Sequence, residues 1–93
     1  MVKTTNIYIK NFSTIPNVQE QEQILYNLCK TNSQNIITYG VEIVSKKRQG
    51  QQQCTLSGLS NIETRILDIL KFLYENSIKP DSAPGVISDI FNL

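Results

Sequence analysis

The sequence predicts an α+β fold, a small antiparallel sheet covered by helices in one 93-residue domain. Three observations carry this. Ile36 to Ser45 alternates like a strand, with Ile37, Tyr39, Val41 and Ile43 on one face and Ile36, Thr38, Glu42 and Val44 on the other. Lys46 to Gly50 then reads as a hairpin connection into a second strand, Gln51 to Leu56. Finally, Ser60 to Leu93 reads as two amphipathic helices joined by a proline turn. With the N-terminal third added, the expected order is βαββαα.

Asn6 to Lys10 alternates Ile7 and Ile9 with Asn6, Tyr8 and Lys10, which predicts a short first strand. Phe12 to Pro16 reads as a connection. Asn17 followed by Glu20 resembles a helix start, and Val18, Gln21, Ile24, Leu25, Leu28 and Cys29 trace a stripe at helical spacing. A helix is therefore expected over about 18–30, followed by a polar loop from Thr31 to Asn35. The first strand then either runs parallel to the Ile36–Ser45 strand through this crossover helix or pairs at the hairpin edge.

Gly40 inside the best strand predicts a bulge or a close backbone approach. The glutamines of Gln51 to Leu56 suit an exposed edge strand. Ser60 and Glu63 have the spacing of a capping box, and Ile62, Ile66, Ile69, Leu70, Leu73 and Tyr74 form the apolar stripe behind it. Arg65, Asp68, Lys71 and Glu75 fall mostly opposite. Pro80 forbids continuation. Asp81 or Ser82 caps a shorter helix that admits Pro84 in its first turn and turns Val86, Ile87, Ile90, Phe91 and Leu93 inward.

The ITYGVEI segment (Ile37 to Ile43), the hairpin after it and the helix, Pro80, Ser82, VISDIF sequence to Phe91 resemble a family of small uncharacterised proteins from anaerobic Gram-positive bacteria. The resemblance spans about residues 36–93. It implies an α+β fold and a bacterial or phage cytoplasmic setting, and it carries no catalytic residue or ligand.

Composition narrows the functions. Formal net charge is +1, which gives no global field for polyanions. Its distribution is uneven, with six Lys/Arg against three Asp/Glu in residues 1–57 and three against five in 58–93. The chain has no His, the commonest general base and metal ligand, and no phosphate-loop or nucleophile-elbow motif. Its two cysteines, Cys29 and Cys54, stand far apart and read as free thiols of a reducing compartment, with a disulfide as the alternative. No catalytic residue, metal or cofactor is expected. No apolar run approaches the ~20 residues of a membrane span, so a cytoplasmic protein that binds no membrane is expected.

Two functional classes remain. The first is a non-enzymatic protein-binding module acting as a regulator or inhibitor. A concrete version is a phage- or mobile-element-encoded inhibitor of a host defence or CRISPR nuclease complex, reaching nucleic acid only through its nucleoprotein target. Phe72, Tyr74, Gln51 and Gln53 are its candidate interface residues, and the glutamine-rich edge also allows a homodimer. The second is a weak nucleic-acid binder. Lys46, Lys47 and Arg48 at the hairpin tip, with Lys30 as a neighbour, would contact phosphates, with an acidic patch on a protein partner or a purely solubilising turn as the alternatives. Salt separates the two, since neutralising three phosphates gives a log K against log[salt] slope near about −3.

Overall fold

The computed structural model describes residues 2–12 and 22–91. Four strands come first: β1 (Val2–Phe12), β2 (Glu22–Ser33), β3 (Ile36–Lys47) and β4 (Gly50–Ser60). Two helices follow, α1 (Glu63–Glu75) and α2 (Ala83–Phe91). The sheet order is β1-β2-β3-β4 and every neighbouring pair is antiparallel. The fold class is α+β, with the described elements in the order ββββαα instead of βαββαα.

The helix expected over 18–30 is a correction. Its described part, from Glu22 onward, is strand β2, while Asn17, Val18, Glu20 and Gln21 lie outside the described residues. The reason is burial on both sides of a central strand. Ile24, Tyr26 and Leu28 turn to the helices, while Asn27 and Cys29, on the opposite face, are also buried. A strand buried on both faces loses its alternation, and a short apolar run then mimics a helical stripe. The first strand consequently pairs with neither expected partner. It lies antiparallel to β2, with Ile7 bulged out between the Asn6↔Asn27 and Tyr8↔Tyr26 pairs.

The expected polar loop from Thr31 to Asn35 contracts to a two-residue turn. Gln34 and Asn35 both have positive φ (51° and 65°), as a primed hairpin turn requires. Arg48 and Gln49 turn β3 into β4, as anticipated. Gly40 is where the backbone comes close. A Cβ there would lie 2.1 Å from the Leu56 carbonyl oxygen and 2.7 Å from Ser57 Cα. The β3–β4 register slips beside it, between Tyr39 and Val41.

One core joins the layers. Ile24, Tyr26 and Leu28 of β2 and Val41 and Ile43 of β3 meet Ile66, Ile69, Leu70 and Leu73 of α1 and Ala83 and Ile87 of α2. Burying each such aliphatic side chain is worth about 1.5–3 kcal/mol. Ile62 leaves the expected stripe, being 54% exposed in the N-cap position. The Ser60–Glu63 capping box does not form. Ser60 is still paired with Tyr39, and its hydroxyl accepts the Ile62 amide at 3.0 Å instead.

The far end of α1 is closed more completely. Ser77 adopts positive φ (53°), its amide donates to the Tyr74 carbonyl, and the Ile78 amide donates to the Leu73 carbonyl. This is the Schellman pattern, with serine in the place glycine usually takes. From β1, the Lys10 ammonium donates to the Tyr74 carbonyl and to Ser77 Oγ, placing a cation at the negative end of the helix. The helix α2 begins one residue after Ser82, whose carbonyl accepts the Val86 amide, and Pro84 falls in its first turn.

Candidate functional site

Both helices pack against the same side of the sheet, the side of Tyr26 and Ile43. Among the described residues no helix covers the opposite face. The strand register lays this open face out in rows. Asn11, Gln23, Lys46 and Gln51 form the first row, and Ile9, Leu25, Val44 and Gln53 the second. Asn6, Asn27, Glu42 and Thr55 form the third, followed by Thr4, Cys29 and Gly40.

The third row is a hydrogen-bonded ladder across all four strands. Asn6 Nδ2 donates to Asn27 Oδ1 at 2.8 Å, and Asn27 Nδ2 donates to Glu42 Oε1 at 3.0 Å. The other carboxylate oxygen, Glu42 Oε2, accepts from Gln53 Nε2 at 2.9 Å and Thr55 Oγ1 at 3.4 Å. Alternation dictates that every second residue faces this side. Asn27, with both a donor and an acceptor, links Asn6 to Glu42, and the acceptor-only carboxylate of Glu42 takes donors from both sides. Asn27 is 7% exposed, and no buried side-chain polar atom among the described residues lacks a partner.

The face is nearly uncharged. Glu42 and Lys46 are the ionic groups in these four rows, one of each sign. Ile9, 47% exposed, places an apolar spot at the β1 margin of the face. Cys29 sits beside Gly40, with Thr4 Oγ1 3.9 Å from its sulfur, and burial pushes its thiol up. Cys54 belongs to the helix-covered face, and burial raises it too. Both thiols are free. They lie two strands apart on opposite faces, about 10 Å or more by strand spacing, which is beyond disulfide reach.

The hairpin tip places Lys46, Lys47 and Arg48 together, all exposed. Beneath it lies a shallow open pocket of about 270 Å³, lined by Ser45, Lys47 and Gln49 to Gln52. Lys30 is not near this cluster. It pairs with Tyr39, whereas Glu22 pairs with Lys47, so eight residues of β2 separate them, about 26 Å at the usual rise.

The candidate interface residues separate as well. Phe72 is 45% exposed on the outer side of α1. Tyr74 is committed to the fold: its ring stacks on Tyr8 at 4.7 Å, meets Tyr26 edge-on at 5.9 Å, and carries the Lys10 ammonium 4.6 Å above it. Gln51 and Gln53 both lie on the open face, and Gln53 is tied to Glu42.

Tyr26 and Glu22 are further titratable groups of the covered face. The Tyr26 hydroxyl donates to the Ile78 carbonyl at 3.0 Å, and burial, with Glu22 and Tyr74 nearby, pushes its phenol up to about 12. For Glu22, burial alone would raise the carboxyl. The Ser45 hydroxyl and Lys79, paired at 3.1 Å, outweigh that and hold it below the usual range. Ser45 thus serves as a hydrogen-bond donor beneath an ion pair. Among the described residues, no group of three or more Cys, Asp or Glu converges to hold a metal, and no helix is long and apolar enough to cross a membrane.

Sequence reasoning passed over Asn6, Asn27, Glu42 and Thr55. Their partners across the strands are 11–21 residues apart and become neighbours only when the register is known. No curated protein and no solved structure matches this chain. A family model does, over residues 6–93, and it takes in the N-terminal strands as well as the part that carried the resemblance. The chain therefore belongs to the family of unknown function DUF6514.

Proposed function

We propose that this protein is a non-enzymatic protein-binding module whose recognition surface is the open face of its sheet. The carrying observation is the ladder from Asn6 to Thr55 on a face that no helix covers among the described residues. Fixed amides, hydroxyls and one carboxylate, with an apolar spot at Ile9, suit a polar protein surface. A polyanion gains nothing from a face whose ionic groups cancel. The narrower form is a phage- or mobile-element-encoded inhibitor that occupies the working surface of a host defence or CRISPR nuclease complex in the cytoplasm.

The test is capture of partners by the tagged protein, after nuclease treatment, alongside two variants. Ile9→Lys alters the open face and Phe72→Lys the outer side of α1, and both positions are exposed. Loss of an interface anchor costs about 2 kcal/mol, or ~30-fold in affinity. The reading requires that loss from Ile9→Lys and retention by Phe72→Lys.

One observation favours a second reading, a weak nucleic-acid binder: Lys46, Lys47 and Arg48 are exposed together at a projecting tip. Binding whose salt slope flattens when these three become Gln would support it.

A further inference from the structure

The two outer strands of the sheet are finished differently. In β1 a bulge at Ile7 interrupts the edge, and the strand carries Lys3 and Lys10. Bulges and lysines are the usual devices that stop an edge from pairing with another chain. From Gly50 to Ser60, β4 contains no charged residue and no proline. From Gly50 to Leu56 its register with β3 runs without a break. Along such a stretch every second residue directs its N–H and C=O outward.

We infer that two copies of the chain pair antiparallel through β4 and join their sheets into one of eight strands. This goes beyond the partner reading and does not depend on it. A second copy is the occupant that the chemistry of this edge favours. A two-fold interface sets the strand against itself, so any charge on it would face or neighbour its own copy. The strand has none. Gln51, Gln53 and Thr55 lie on the open face, and glutamine carries both donors and an acceptor, so like can bond with like across the axis. Pairing at the edge also leaves the open faces uncovered and side by side. A single strand pairing is small beside the ~1,200–2,000 Å² of a stable complex, so the dimer exchanges with monomer.

The experiment is sedimentation equilibrium of the full chain over a concentration series, alongside the double variant Gln51→Lys with Gln53→Lys and the β1 variant Thr5→Lys. All three positions are exposed. The inference expects the mass to rise toward twice 10.6 kDa with concentration for the unmodified chain and for Thr5→Lys. It expects the double variant to stay folded and at one chain, its unfolding temperature lowered only by the lost Gln53–Glu42 hydrogen bond and the new Lys46 neighbour. Hydrogen exchange on the unmodified protein gives an answer without a variant, as backbone amides in 51–55 should gain protection as concentration rises. A monomer at every concentration, or a dimer that the double variant leaves intact, overturns the inference. A monomer that still loses its captured partner on Ile9→Lys overturns self-pairing and leaves the partner reading standing.

Discussion

The two faces of the sheet use the same strands and are held in opposite ways. On the covered face, Ile24, Tyr26, Val41 and Ile43 are removed from water by α1 and α2. On the open face, Asn6, Asn27, Glu42, Gln53 and Thr55 are held by one another. Burial stabilises the first by about 1.5–3 kcal/mol per side chain, whereas each hydrogen bond of the second is worth roughly 0.5–1.5 kcal/mol net. A ladder of this kind adds little stability, but it fixes where each donor and acceptor stands. Stability thus resides mainly on one face, and the order available for recognition lies on the other.

Substitutions on each side measure that contrast. Leu70→Ala, at a fully buried position of α1, should cost about 2–5 kcal/mol, read from chemical denaturation. A near-neutral result would mean that α1 does not seal the covered face. At the open face, Gly40→Ala drives a methyl group into the Leu56 carbonyl and should cost about 1–3 kcal/mol. Glu42→Ala leaves the Asn27 amide short of its acceptor and should cost about 1–2 kcal/mol, less than Leu70→Ala. A larger cost for Glu42→Ala would reverse the assignment of stability to the covered face.

The smallest effect is a pH dependence. The Glu22 carboxyl is held below its ordinary 4.5, so its contribution is complete above that pH and fades as pH falls through the lowered value. Glu22→Gln should flatten the acid limb of the stability curve and leave its neutral region nearly level apart from the lost Lys79 pair. An unchanged acid limb would remove Glu22 from the account.

Elements whose apolar residues kept a clear period were legible from the sequence, β3 among them although Gly40 and Val44 on its open face are buried too. Alternation marked β3, helical spacing marked Ile66, Ile69, Leu70 and Leu73, and Gly40 announced the β4 backbone beside it. Strand β2 was not legible, because burial on both faces erased its period. Tyr74 read both as the end of the α1 stripe and as a candidate surface anchor, because nothing local shows that Tyr8, Lys10 and Tyr26 converge on it from β1 and β2. The ladder was hidden for the same reason: each member is an ordinary polar residue until the register places it opposite the next. Lys30 was grouped with the basic tip by charge, and an antiparallel register sent it to the other end.

The most direct test of the central claim is the affinity of a partner, captured and identified with the unmodified protein, for the Ile9→Lys and Phe72→Lys variants. If the open face is the recognition surface, Ile9→Lys weakens binding about 30-fold and Phe72→Lys leaves it unchanged. Full binding by Ile9→Lys together with loss in Phe72→Lys would place recognition on the helical side and contradict the account.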